Sequence, residues 1–341
     1  MKRFHVAGSR VIKTGIAIFI TAWLCEWLGW PPVFAVITAI VTIEPTVSDS
    51  IKKGFIRFPA SAIGSFYAVL FISFFDHSPL TYTLAAVCTI TTCVKLRLHA
   101  GLLVATLTAV AMVEVIHSNY IISFFIRLGT TTIGLIVSTA VNMFLFPPDY
   151  TKNIVENINS MAQKTGKTVE NVFRYVLEAR DREAKDNPGE EMMEQLHKAF
   201  HQTETLIQFQ KDEAKYHPLT GREKRLFELV QDQLTRLRMI HYHVDNIVKI
   251  PMETLSWSAE ERSTVMGAVL KLAAELQSDS AYDRSLHQKQ LSHLMELFWE
   301  GNEEITKNSD QHPTHFPPEL IILYELLAIY EQVEAFYEHH P

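Results

Sequence analysis

Six apolar runs crowd into the first 150 residues of this 341-residue chain, at 11–30, 32–47, 58–75, 80–94, 100–117 and 121–146. A water-soluble domain that size could not enclose them all and keep enough polar surface to face water. A membrane-spanning helix uses about 20 apolar residues, so the runs read as six transmembrane helices. The second, fourth and fifth are short, and their ends need covering by protein, water or interface. Charge divides the chain at the same place. Residues 1–150 hold ten Lys/Arg against six Asp/Glu, a net of +4, while the whole chain is −7, which leaves −11 for residues 151–341. The expected fold is therefore an all-α membrane protein with two domains: a six-helix transmembrane domain over 1–148 and a soluble α-helical bundle over 149–341.

The basic residues orient the first domain. Segments 1–13, 48–57 and 95–99 carry Lys2, Arg3, Arg10, Lys13, Lys52, Lys53, Arg57, Lys95 and Arg97. The alternate connections, Asp76-His77-Ser78-Pro79 and His117-Ser118-Asn119-Tyr120, have no Lys or Arg. By the positive-inside rule the chain is a multi-pass protein of the cell membrane with both termini cytoplasmic. A basic N-terminus before an apolar run also mimics a signal peptide, but the further runs point to an uncleaved first span. Cys25, Cys88 and Cys93 all lie inside apolar runs, with no CxxC pair, and read as free thiols.

A gapless shift of 70 residues lays "PPVFAVITAIVTIEPTVSDSIKKGFIRFPASAIG" (31–64) on "GLLVATLTAVAMVEVIHSNYIISFFIRLGTTTIG" (101–134), with identity at eleven of 34 positions. Shared apolar composition explains some Ile and Ala matches. It does not readily align Glu44 with Glu114 and Arg57 with Arg127, because charged residues are scarce in these runs. Each copy holds three runs, an odd number, so the second enters the membrane with opposite polarity. That is the 3+3 inverted repeat of many transporters, whose sites lie near the repeat interface. Glu44 and Arg57 then lie toward the inner face, Glu114 and Arg127 toward the outer one.

An ionised side chain at membrane depth costs several kcal/mol even on insertion scales, so it faces a partner or a cavity. Two roles are open. Each Glu–Arg pair can brace its own hairpin. Alternatively, Arg57 and Arg127 attract a small organic anion, since a guanidinium suits a carboxylate, and Glu44 and Glu114 act as counter-ions or carry a coupled proton. Glu26, beside Trp27 and Trp30, reads as an outer-interface residue. Gly64 and Gly134 follow their arginines by seven residues, two helical turns, and suit close helix packing. Pro45 removes a backbone donor near the end of the second run and either bends or ends that helix.

The stretch "AVITAIVTIEPTVSDSIKKGFIRFPASAIGSF" resembles the signature hairpin of the fusaric-acid-resistance-like superfamily, which holds the aromatic acid exporters and is similar to plant aluminium-activated malate channels. Glu44, Pro45, Thr46, Lys53, Gly54, Arg57 and Gly64 stand at its pattern positions, and "FFIRLGTTTIGLIVSTAVNMFLFPPDY" resembles the closing span, with Arg127, Gly134 and Pro147. The resemblance covers roughly residues 11–148. The layout of one membrane half and a helical tail is similar to the Gram-positive branch. It implies a multi-pass transport protein for organic anions that forms a homodimer.

In the second part, Ile154, Ile158, Met161, Thr165, Val169, Val172 and Val176 mark one helical face. Further helices read at about 190–215, 221–250, 259–278, 284–308 and 318–338, separated by Asn187-Pro188-Gly189, His217-Pro218, Pro251 and residues 312–319. The first is expected to continue directly from the membrane. Ser258 and Glu261 fit a capping box. Glu194, His197 and His201 share a helix face, but HExxH is absent and an exposed polar face is the plainer reading; His241/His243 and His312/His315 rank lower as metal ligands. "TGREKR" (220–225) lacks the spacing of a phosphate loop. No cofactor, metal or ATP use is expected, and the acidic charge disfavours nucleic acid. Two function classes remain: an exporter or channel for organic anions, and a membrane-anchored scaffold or sensor whose helical domain binds a protein or ligand. An intramembrane enzyme ranks third, because no nucleophile–base or metal constellation is visible.

Overall fold

A computed structural model describes residues 9–115, 119–145, 147–178, 188–250, 255–307 and 317–338, and every regular element among them is helical. The chain forms two compact units, Met1–Asp149 with Phe209–Pro218, and Tyr150–Gln208 with Leu219–Pro341.

Six α-helices make up most of the first unit: α1 Ser9–Trp27, α2 Val33–Thr42, α3 Val47–Phe75, α4 Pro79–Lys95, α5 Leu102–Val115 and α6 Tyr120–Phe144. They stand where six spans were expected, but among the described residues only α3 and α6 are long and apolar enough to cross a membrane, with α2 and the stretch His99–Val115 shorter apolar helices. Phe19, Trp23 and Trp27 on α1, Phe55, Phe66 and Phe74 on α3, and Phe125, Ile136 and Phe144 on α6 are each more than half exposed. Large apolar side chains displayed on this scale mark a surface that does not meet water.

Residues 48–57 do not form a connection, as their polarity suggested. They are the opening turns of α3, so Lys52, Lys53 and Arg57 are helical. Pro45 forces the break one step earlier. A proline there clashes with a helical carbonyl four residues back and pushes its predecessor out of helical conformation, and α2 stops at Thr42 with Ile43 extended. Thr46 then caps α3 by accepting a hydrogen bond from the Asp49 N–H at 3.1 Å. The Val47 N–H, another open donor of that first turn, is met by Glu213 Oε2 at 3.0 Å, from the Phe209–Pro218 segment assigned to this unit.

The packing pairs helices across the two sequence copies. α3 runs along α5 and α6 along α2; α1 lies against α2 and α6, α4 against α5 and α3; and α3 meets α6. Adding three to every label returns the same set of principal pairs. The glycines repeat this exchange in atomic detail. A Cβ on Gly64 would overlap the Ala105 carbonyl oxygen, and one on Gly134 would lie 2.5 Å from the Ala35 carbonyl oxygen. Ala35 and Ala105 are themselves partners in the 70-residue shift. Where α3 and α6 cross, Ser61 Oγ and Thr131 Oγ1, also 70 residues apart, share a hydrogen bond of 3.2 Å.

Unit two holds α7 Thr151–Glu178, most of α8 Pro188–Glu213, α9 Gly221–Val248, α10 Ala259–Gln277, α11 Arg284–Lys307 and α12 Pro318–Tyr337. The stripe from Ile154 to Val176 is buried as its spacing required, and it joins Leu237, Ile240, Leu272, Ile329, Tyr330 and Val333 in one core. Ser258 and Glu261 form the capping box that opens α10. Residues 147–150 are not helical, so α7 is a new helix and not a continuation of α6. Burial pushes the Tyr330 phenol up, which keeps it a donor to the Ala268 carbonyl at 2.8 Å. His287 is enclosed between Glu275 Oε2 at 2.6 Å and the Tyr330 carbonyl at 3.0 Å. Lys2, Arg3, His117, Ser118, Phe146, Asn187, Pro251, His312 and His315, which entered the sequence reading, lie outside the described residues.

Gly64→Ala and Gly134→Ala are each expected to destabilise the first unit by about 1–3 kcal/mol, the usual cost of overpacking a close contact. Gly54→Ala, whose Cβ would meet nothing nearer than 3.8 Å, should be close to neutral. Thermal unfolding of the purified protein in detergent compares the three.

Candidate functional site

Arg57 and Arg127 occupy matched positions on α3 and α6, 6% and 3% exposed. Their surroundings differ. Arg57 Nη2 donates to Glu44 Oε1 at 2.6 Å and its Nε to the Ala100 carbonyl at 3.3 Å. Glu44 turns its other oxygen, Oε2, to Lys53 Nζ at 2.9 Å. One carboxylate thus sits between two cations, and only the Nη1 of Arg57 lacks a partner. Because α2 ends at Thr42, Glu44 lies beyond the helix in the turn, where its side chain reaches back to α3.

The same pairing does not form in the second copy. Arg127 Nη2 donates to Thr108 Oγ1, and the guanidinium lies over the Phe34 ring with Cζ 4.4 Å from its centroid. Its Nε and Nη1 are buried without a hydrogen-bond partner. The expected acid is elsewhere: Glu114 is exposed and accepts a hydrogen bond from the Tyr82 hydroxyl. Val115 stands where Pro45 stands in the first copy, so α5 runs on through Glu114 and keeps its carboxylate on the helix. Ser123 replaces Lys53, so no second cation draws the acid toward α6. A brace in both hairpins is therefore corrected to a brace in the first alone.

A second polar network closes the same end of the first copy. Lys13 is buried and donates to Asn142 Oδ1 at 3.0 Å; Asn142 Nδ2 donates to the Glu44 carbonyl at 3.1 Å and to Ser50 Oγ at 3.0 Å. Arg10 Nη2 donates to the Ile43 carbonyl at 3.1 Å. These bonds satisfy the Ile43 and Glu44 carbonyls and fix the turn that presents Glu44. Gly64 and Gly134 serve the close packing described above and carry no ligand-facing group.

Between α3 and α6 runs a groove of about 580 Å³, lined by Ile51, Gly54, Phe55, Leu135, Ile136 and Phe144 among others. Neither guanidinium lines it. In the second unit Glu194 is exposed and pairs with Lys198 at 2.7 Å, and among the described residues no group of three His, Cys, Asp or Glu is placed to hold a metal. Phe34, Thr108, Lys53 and Tyr82 were not singled out as site residues from sequence, apart from Lys53 as a pattern position. Thr108 had a signal, since it matches Thr38 in the shift; Tyr82 had none, since its counterpart is Ile12.

Comparison with known proteins follows the same division of the chain. The model of the aromatic acid exporter family, described as member 1, matches residues 5–145, the part that holds both arginines. A UPF0421 protein of Oceanobacillus iheyensis is 49% identical over 337 residues, covering 99% of this chain and 97% of its own. The chain belongs to the aromatic acid exporter family. A UPF0421 protein of Bacillus cereus is 42% identical over 98% of this chain and 94% of its own, and one of Staphylococcus aureus is 35% identical over 98% of both. Membership of an exporter family makes this member of the aromatic acid exporter family a membrane protein.

Burial without a counter-ion gives Arg127 a distinct signature. Arg127→Met removes a desolvated charge and leaves no acid behind, so the melting temperature in detergent should hold or rise. Glu44→Ala strands the buried Arg57 and should cost about 3 kcal/mol, the penalty for breaking one side of a buried ion pair. A drop in melting temperature for Arg127→Met that matches Glu44→Ala would show Arg127 to be a structural keystone.

Proposed function

We propose that the chain exports small organic anions, carboxylates above all, through its first unit, with Arg57 and Arg127 as successive binding stations and Glu44 and Glu114 as their counter-ions. One observation carries this reading: Arg127 is held in the interior with two N–H groups unsatisfied and no carboxylate beside it. A charge at this depth costs about 3 kcal/mol on insertion scales, and the Thr108 hydrogen bond and the Phe34 ring face offset part of it while leaving Nε and Nη1 without acceptors. The carboxylate of an anionic solute supplies the missing acceptors, and charge-assisted hydrogen bonds to a guanidinium are among the stronger ones available.

The exchanged helix pairs, the reciprocal Gly64–Ala105 and Gly134–Ala35 contacts and the Ser61–Thr131 bond support a 3+3 repeat; the positive-inside charge pattern supports its inversion, with six helices in the membrane of the cell and both termini on the cytoplasmic side. The short α2 and α5 are then sheltered by the longer α3 and α6. Both guanidinium groups are closed off in this conformation, so transport on this reading needs at least one further conformation that opens each station in turn.

The test is benzoate efflux from proteoliposomes containing the full-length protein. Arg127→Gln and Arg57→Gln should each lower the rate at least about tenfold, the loss of one charge-assisted contact of 1.5 kcal/mol or so, with unchanged insertion and circular dichroism. Wild-type rates in both variants would end the assignment of the stations.

A further inference from the structure

The two stations are in opposite states, and two residues without a like counterpart in the 70-residue shift, Lys53 (Ser123) and Tyr82 (Ile12), hold the acids. Glu44 is bonded to its arginine, and Glu114 is bonded away from its own. The sequence distance is the same: Glu44 reaches Arg57 across thirteen positions, and Glu114 precedes Arg127 by thirteen. Reach alone does not explain the outcome; the local partners do. Lys53 offers Glu44 a second cation one α3 turn before Arg57, and uses a separate carboxylate oxygen for it. Glu44 can therefore let go of Arg57 and remain neutralised. At the second station the acid is off its arginine, with the Tyr82 hydroxyl of α4 as its hydrogen-bond donor.

We propose that Lys53 and Tyr82 are holding residues for the two repeat acids, and that each arginine accepts a solute carboxylate only while its acid is held on them. This rests on the transport reading above and supplies its regulation. The arrangement is an exchange of hydrogen bonds and charges. The solute carboxylate and the repeat acid compete for one arginine: the solute binds while the acid is on Lys53 or Tyr82, and it is displaced when the acid returns. Tyr82 and Lys53 are positioning residues in this scheme and touch no solute.

Tyr82→Phe keeps the ring and deletes the hydroxyl that holds Glu114. Freed, Glu114 competes for Arg127, and benzoate efflux should fall about tenfold, a common size for coupling between sites. Adding Glu114→Gln removes the competitor, so Tyr82→Phe/Glu114→Gln should return to the rate of Glu114→Gln alone. A structural role for Tyr82 predicts the reverse, with the double variant as poor as the single one. Wild-type efflux in Tyr82→Phe, or no rescue in the double variant, overturns the proposal. If Tyr82→Phe does not fold, Lys53→Gln with and without Glu44→Gln applies the same cycle to the inner station.

Benzoate-dependent thermal stabilisation of the same proteins in detergent separates this idea from transport itself. Stabilisation that weakens in Tyr82→Phe and recovers in the double variant sustains the holding role even where no efflux is measured, and then only the transport reading falls. Efflux in the wild type with no response to any of these variants sinks the holding role and leaves transport standing. A wild-type protein that benzoate neither crosses nor stabilises overturns both.

Discussion

Two helix crossings govern the first unit: Gly64 against the backbone of Ala105 and Gly134 against the backbone of Ala35. Each brings a helix so close to the partner's carbonyl that even a methyl group cannot fit. In a membrane there is no water to expel from between helices, and contact at this range is what holds them together. It also sets the position of the arginines. Arg57 and Arg127 lie two turns from these glycines on the same helices, so the crossing that locks α3 to α5 and α6 to α2 fixes the depth of each guanidinium as well.

Given that frame, the difference between the two copies is chemical rather than architectural. In the first, Glu44, Lys53 and Arg57 form a compact group in which every formal charge has an opposite neighbour. In the second, among the described residues, the aromatic face of Phe34 and the hydroxyl of Thr108 meet the Arg127 guanidinium. A ring face attracts a cation, but it offers no acceptor to the N–H edges. The Arg127 guanidinium is thus ordered by its surroundings while its Nε and Nη1 have no acceptor. The second unit contributes no such site among its described residues. Its enclosed His287–Glu275 and His243–Glu325 contacts, the latter at 2.5 Å, satisfy polar groups within a helical core.

Much of this was legible in the chain itself. The 3.6-residue stripe from Ile154 to Val176 located α7, and Pro and Gly punctuation located the helices after it, because a soluble amphipathic bundle writes its burial pattern directly into hydropathy. The matched arginines pointed to the interior because charge is rare in apolar runs, but of the matched acids only Glu44 is turned inward; Glu114 is exposed. What escaped notice has a physical reason. Ser48 to Lys53 looked like loop because polarity in a helix's opening turns is indistinguishable, by composition, from polarity in a connection. The runs at 11–30 and 32–47 overshoot α1 and α2 because apolar sequence continues past the helix end into the turn, whereas α4 is short because its own run is. Tyr82 was invisible to the 70-residue shift, since it belongs to the helix that precedes the matched stretch and has Ile12 as its counterpart.

Pro45 has one more consequence. A pair of identical halves related by a twofold axis in the membrane plane would show the same face to both compartments, and nothing in it would tell inward from outward. One imino acid, absent from the other copy, shortens a helix, lifts an acidic side chain into the turn and seats it on its neighbour. The two copies thereby part at their acids: Glu44 leans from a turn onto α3, while Glu114 stays on α5 and meets α4.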